Sequence, residues 1–106
     1  MIVTTTNTVQ GRKIIEYKGI VFGEVITGIK FYKNFAAELT NFFGGRLFSN
    51  EGELVEARKK ALIELARQAD LLGANAVVGV SLDYEVLGKK RNMFLVTASG
   101  TAVLVE

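Results

Sequence analysis

Residues 41–51 read NFFGGRLFSNE and separate two stretches that both have helical periodicity. In the upstream stretch, large apolar residues recur three and four positions apart, on one helix face: Phe31, Phe35, Leu39 and Phe42. Gly44 and Gly45 end that pattern, because glycine takes up the left-handed conformation that closes a helix without a steric penalty. Asn50 can cap the start of a second helix. The stretch therefore predicts two helices joined by a tight loop.

The second helix carries a wide apolar stripe, which suits packing on a sheet. Its members lie between residues 53 and 72: Leu54, Val55, Ala61, Leu62, Leu65, Ala66, Ala69 and Leu72. Arg58 falls inside this stripe and is the one charge that interrupts it. Glu53, three residues after Asn50, matches the reciprocal half of a capping box. Gly73 is the predicted helix end.

Four segments have the composition of β-strands. Residues 1–6 and 13–28 are rich in β-branched side chains, and the second of these segments is either one long strand with a bulge or two shorter strands. Residues 77–86 and 93–105 form a second pair, joined by a charged turn at residues 88–92 that we interpret as a solvated hairpin tip. Together with the helices they predict an α+β fold with two layers: a mostly antiparallel sheet with two helices on one face.

The last predicted strand is apolar on both faces, although a two-layer domain leaves one sheet face to water. Leu95, Val103 and Val105 lie on the face that should be wet, with only uncharged Thr and Ser residues between them. We therefore expect this face to be buried against another subunit, in a homo-oligomer.

Composition excludes several classes of function. The 106 residues fit one domain (1–106) with a net charge of +2, and the basic residues form no stripe, which argues against nucleic acid as a partner. The chain contains no cysteine and no histidine, so disulfides, thiolate nucleophiles, imidazole bases and the usual zinc ligands are all missing. We expect the protein to lie in the cytoplasm, to have no membrane-spanning segment and not to be an enzyme.

Gly44, Gly45 and Arg46 are the anchor of a candidate ligand-binding site for a small anion, and Glu51 and Arg58 are its further candidate residues. The glycines allow a ligand to approach the backbone, and the guanidinium offers two parallel donors to a carboxylate or phosphate. The alternative is that Arg46 pairs with Glu51, or with a neighbouring subunit, and only locks the loop. Arg58 is either a second ligand anchor or a side chain that reaches along the stripe to a carboxylate such as Glu51.

Several separated motifs together resemble the YbjQ family of small bacterial and archaeal proteins. They are Thr4-Thr5, EYKGIVFGE at residues 16–24, Gly44-Gly45-Arg46, Glu51, Ala57-Arg58, GANAVVGV at residues 73–80, and GTAV at residues 100–103. The resemblance implies a compact α+β subunit that assembles into a ring-like homo-oligomer, a homopentamer, in a family described as heavy-metal-binding and functionally uncharacterised. Asn50 and Leu47 depart from the family pattern, which commonly has tyrosine and a small residue at these positions.

The heavy-metal description implied by this resemblance conflicts with the donor atoms in the chain. Soft metals prefer thiolate or imidazole, and this sequence offers carboxylates, carbonyls and two thioethers instead. Glu24, Asp83 and Glu85 are the candidates for a metal site at a subunit interface, which would suit a hard cation; the alternative is that all three are ordinary solvated charges. The cofactor is therefore unknown, with a metal ion as the candidate. Two functions stay open: a homo-oligomeric module that binds a small ligand or metal ion, or a purely structural assembly protein.

Overall fold

Helix α1 packs across one face of a mixed β-sheet in this computed structural model, which describes residues 1–28, 50–88 and 93–106. In chain order the elements are β1 (Ile2–Val3), β2 (Ile14–Gly28), α1 (Asn50–Leu71), β3 (Ala76–Leu87) and β4 (Met93–Val105). The predicted α+β class is confirmed, and the predicted positions of the second helix and of the three long strands agree closely with these bounds. The first strand, predicted over residues 1–6, comprises only Ile2–Val3. The first predicted helix and residues 89–92 of the hairpin tip lie outside the described residues.

The strand order across the sheet is β1-β3-β4-β2. β4 pairs antiparallel with both β3 and β2, so the strands that precede and follow the helical region run in the same direction. β1 pairs parallel with β3 through Ile2 and Val3. The sheet is thus mostly antiparallel, and its longest pairing joins β2 to β4.

A row of small and apolar side chains at i, i+4 spacing holds α1 against β2 and β4: Ala57, Ala61, Leu65 and Ala69, all essentially inaccessible to solvent. The small alanines let the helix backbone approach the sheet closely. At Gly23 of β2, a Cβ atom would stand 2.0 Å from the Ala61 carbonyl oxygen, so only glycine fits there. Leu65 fills the centre of this layer, and its burial is worth roughly 2 kcal/mol.

At one end of the sheet, the face opposite α1 is covered by the N-terminal region of the same chain. Val103 and Val105 are buried there in a second small core with Ala76 and Val78, and the side chains that pack against this core belong to the N-terminal region: Ile2, Val9 and Ile14. The expectation that Val103 and Val105 need another subunit to cover them is therefore wrong. Val103 and Val105 are covered because of the path that residues 4–13 take. The alternation of side chains between the two faces of β4 could not indicate that path.

A bulge in β3 fixes that N-terminal segment in place. The register between β3 and β4 shifts between Val78 and Ser81, and Gly79 has a φ of 61°, a left-handed conformation that favours glycine. Gly79 N–H donates to the Thr6 carbonyl at 2.8 Å, and Val80 N–H donates to the Thr4 carbonyl at 3.0 Å. The bulge thus turns β3 and ties the first residues of the chain to the sheet.

Candidate functional site

Five residues were predicted to form the ligand-binding site, namely Gly44, Gly45, Arg46, Glu51 and Arg58, and the structure describes the surroundings of one of them. Gly44, Gly45 and Arg46 lie outside the described residues, and Glu51 lies in the first turn of α1. Arg58 lies two turns further along α1 with its side chain exposed. The predictions for the glycine pair, Arg46 and Glu51 therefore stay predictions, and Arg58 is the residue from which a site can be built.

Arg58 borders a cavity of about 150 Å³ between α1 and β3. The lining residues are Leu54 and Arg58 from α1, Leu82, Asp83 and Tyr84 from β3, and Val96 from β4. Among the described elements, α1 packs mainly against β2 and β4 and much less against β3, so it leaves a space beside Leu82 and Tyr84. Leu82 and Tyr84 consequently remain 42% and 58% exposed.

Among the cations of α1, Lys59 and Arg67 pair with a described carboxylate, whereas Arg58 and Lys60 do not. Lys59 lies 3.8 Å from Glu56, and Arg67 lies 2.7 Å from Glu64. Apart from Glu51, whose side chain lies outside the described part of the structure, no carboxylate of residues 1–28, 50–88 and 93–106 comes within 4.0 Å of the Arg58 side chain. Pairing of Arg58 with Glu51 stays a prediction, and the guanidinium borders the cavity.

Asp83 contributes to the cavity without facing the guanidinium. In the β3–β4 register Asp83 is opposite Thr97, while Tyr84 is opposite Val96, which belongs to the core under α1. Since successive side chains of a strand point to opposite faces, the Asp83 carboxylate belongs to the face away from α1. There its Oδ1 accepts a hydrogen bond from the Tyr84 N–H at 3.0 Å.

The three predicted metal ligands share one sheet face, the one opposite α1. Glu24 and Asp83 both pair with Thr97, from the two sides of β4, and Glu85 pairs with Leu95 one row further on. Two strand spacings separate Glu24 from Asp83, which corresponds to roughly 10 Å. Within the part of the chain that the structure describes, no three such residues come close enough to hold a metal ion. A site built from all three would need further ligands or a second copy of the chain.

The same face carries an apolar strip that the sequence analysis did not single out. Ile20, Phe22 and Ile26 of β2 alternate with Val21, Gly23 and Val25, which face α1, and they are 72%, 52% and 59% exposed. Their partners on β4 are uncharged, namely Thr101, Ser99 and Leu95. We call Ile20, Phe22 and Ile26 the β2 strip.

Glu53 is a buried acid, which the sequence analysis did not anticipate. It precedes Ala57 by one helical turn and continues the row of α1 residues that face the sheet, with 3% of its surface exposed. Its Oε1 makes no hydrogen bond with the described residues, and the capping-box role stays a prediction. Burial raises the pKa of the Glu53 carboxyl. The spacing of Glu53, Ala57 and Ala61 was the signal that placed it on the buried face.

These features define a two-layer α+β subunit with an arginine-bordered cavity on its helical side and an apolar, carboxylate-bearing face on the other. The chain belongs to the YbjQ family, whose model matches residues 1–106 and is described as "Putative heavy-metal-binding". The helix that the structure describes is not long and apolar enough to span a membrane.

Relatives match over the full length of the chain. A UPF0145 protein of Acetivibrio thermocellus is 61% identical and one of Clostridium kluyveri is 63% identical, each with all of both chains covered. A crystal structure of a protein of unknown function from Pediococcus pentosaceus, of the DUF74 family, has a similar fold. Its TM-score is 0.69 at 20% identity, covering 100% of this chain and 98% of that one. None of these descriptions names an enzymatic reaction.

Proposed function

We propose that the protein is a homo-oligomeric binding module whose subunits contact one another through the sheet face opposite α1. Five copies per ring is the number that the family resemblance implies. The ligand is a small anion or a hard metal ion. The location that we predicted, the cytoplasm, is part of the same proposal.

The observation that carries this proposal is the β2 strip. Three large apolar side chains, Ile20, Phe22 and Ile26, each leave more than half of their surface exposed in a single subunit. Glu24 lies between Phe22 and Ile26 on the same face, so the strip is an apolar patch that carries one charge. Exposed apolar patches bordered by polar residues mark interaction sites on soluble proteins. Covering each of these side chains would contribute about 1 kcal/mol per subunit. A second copy of the chain is the partner that is always available at the concentration of the protein itself.

The donor atoms of the chain restrict which class of metal ion it can bind. The whole sequence lacks cysteine and histidine, so a soft heavy metal does not fit, whereas Glu24, Asp83 and Glu85 offer the oxygen atoms that hard cations prefer. All three lie on the face that we propose to be shared between subunits. Mn²⁺ should therefore bind in preference to Cd²⁺, and the paired substitutions Glu24→Gln and Asp83→Asn should weaken Mn²⁺ binding.

The assembly itself is tested by one substitution and a matched control. Ile20→Lys places a charge in the β2 strip, while Ile63→Lys makes the same change at a residue of α1 that is 68% exposed. Because a lysine ammonium loses its hydration in a closed interface, Ile20→Lys should shift the mass measured by light scattering toward the monomer. Ile63→Lys should leave it unchanged. A wild-type monomer at micromolar concentration, or an intact oligomer in Ile20→Lys, would contradict the proposal.

A purely structural assembly is the second candidate, favoured by the lack of a complete metal cluster among the described residues. Arg46→Ala distinguishes the two functions. If the oligomer stays intact but a bound small anion is lost, Arg46 serves binding. If the oligomer dissociates, Arg46 serves assembly.

A further inference from the structure

We infer that the cavity between α1 and β3 binds a small organic carboxylate, with the carboxylate on Arg58 and an apolar tail against Leu54, Leu82 and Tyr84. This inference rests on the proposed role of the protein as a binding module and names the ligand class of one of its sites. Nothing in the family description assigns a function to these residues.

The size of the cavity sets the size of the tail. A cavity of about 150 Å³ accommodates one benzene-sized group, as apolar cavities of that volume do in other proteins. The ligand is therefore a compact molecule, with one aromatic ring or a short branched chain. A nucleotide or a peptide is too large to be enclosed.

The walls of the cavity are largely apolar, and part of their surface is exposed to solvent. Leu54 is partly buried against the main core, Val96 forms the floor, and Leu82 and Tyr84 present exposed surface to the cavity. A tail that covers Leu82 and the Tyr84 ring removes apolar surface from water on both sides of the contact. The cavity thus favours a ligand with an apolar body over a bare inorganic anion.

The charge at the cavity mouth selects the polar end of the ligand. Among the described side chains, which do not include that of Glu51, no carboxylate lies within 4.0 Å of Arg58, and the register turns the Asp83 side chain to the other sheet face. A planar guanidinium pairs with a carboxylate through two parallel N–H···O bonds. The cavity combines this positive group with an apolar pocket, which is the complement of an amphipathic monocarboxylate.

Benzoate is the probe for this inference, with benzamide and acetate as its controls. Benzamide keeps the ring without the charge, and acetate keeps the charge without the ring. In methyl NMR spectra of the full-length protein, benzoate should shift the resonances of Leu54, Leu82 and Val96, and should bind more tightly than either control. Equal binding of benzamide, equal binding of acetate, or shifts confined to other residues would overturn the inference.

Arg58→Gln and Arg67→Gln form the matched pair of variants. Both remove one positive charge from α1, but Arg67 already pairs with Glu64 and lies away from the cavity lining. Arg58→Gln should weaken benzoate binding at least about tenfold, which is the loss expected for a charge-assisted hydrogen bond. The affinity of Arg58→Lys for benzoate should lie between those of the wild type and Arg58→Gln. Arg67→Gln should bind as the wild type does; an equal loss in both variants would mean that only overall charge matters.

Light scattering on the same samples separates this inference from the proposed assembly. If the wild-type oligomer is intact and benzoate causes no shifts, the cavity inference fails and the assembly proposal stands. If the wild type is monomeric and benzoate binds through Arg58, the assembly proposal fails and the cavity inference stands.

Discussion

Gly23→Ala should separate α1 from the sheet, and the size of the effect follows from the geometry. The added Cβ atom would stand 2.0 Å from the Ala61 carbonyl oxygen and 2.6 Å from the Leu65 nitrogen. Ordinary contact begins near 3.4 Å, so the helix must move away by about 1.4 Å. Both obstructing atoms belong to the helix backbone and cannot rotate aside. A gap of that size forfeits much of the dispersion energy along the buried row, and we expect a loss of about 3 kcal/mol or more.

Urea unfolding followed by circular dichroism measures this loss, with every variant at one protomer concentration because association shifts apparent stability. Gly100→Ala is the control within the same sheet. Its Cβ would first meet a side-chain methyl, Cγ1 of Val77, at 2.7 Å, and its closest backbone atom is the Val78 carbonyl oxygen at 3.2 Å. Gly100→Ala should therefore cost about 1 kcal/mol, at the low end of the overpacking range. A Gly23→Ala variant within 0.5 kcal/mol of the wild type, or no less stable than Gly100→Ala, would refute the close helix–sheet contact.

Two further substitutions test the buried polar groups. Because the pKa of Glu53 is raised, the folded state binds the proton of this carboxyl more firmly than the unfolded state does. Ionisation of Glu53 therefore lowers the free energy of unfolding as the pH rises above about 4.5 and has no effect on it below that pH. In urea titrations, the free energy of unfolding of Glu53→Gln minus that of the wild type should therefore be more positive at pH 7 than at pH 4. An equal difference at both pH values would contradict the burial of the carboxyl. Asn75 bridges the Val105 backbone, accepting from its N–H at 2.8 Å and donating to its carbonyl at 2.9 Å. Asn75→Ala should cost about 2 kcal/mol for the two lost hydrogen bonds, and a cost under 0.5 kcal/mol would show that water replaces them.

Local patterns predicted the elements well, because each strand and helix is encoded in neighbouring residues. The β-branched run at residues 13–28 became β2, and its predicted bulge appears as register shifts near Ile14 and Tyr17. Gly73 adopts the left-handed conformation expected of a helix end, with a φ of 82°. Caps, periodicity and turn residues act over a few positions, and a single sequence displays them directly.

Features that depend on distant residues could not be predicted in the same way. The alternation of β4 correctly separated Val96 and Ala98 from Val103 and Val105, but it could not show that Val9 and Ile14 cover the second pair. Exposure was similarly misjudged on α1, where small residues such as Ala57 form the buried row while Val55 and Leu72 stay exposed. Tight packing on a sheet selected small side chains over large ones.

The candidate site was predicted only in part, for the same physical reason. Arg58 was recognised because its charge interrupts an apolar stripe, and the structure places it at a cavity. The partners of that cavity, Leu82 and Tyr84, come from a strand more than 20 residues away and have no local signal. The β2 strip was also missed, because Ile20, Phe22 and Ile26 look like ordinary strand residues until the helix is placed on the other face.

Native mass spectrometry of the purified protein tests the central claim, which is that the sheet face opposite α1 joins copies of this chain. The account predicts one dominant species with the mass of five subunits, and a smaller species after Ile20→Lys but not after Ile63→Lys. The same spectrum reports any retained metal ion or small molecule as added mass. A wild-type spectrum that contains only the monomer at micromolar concentration would contradict the account.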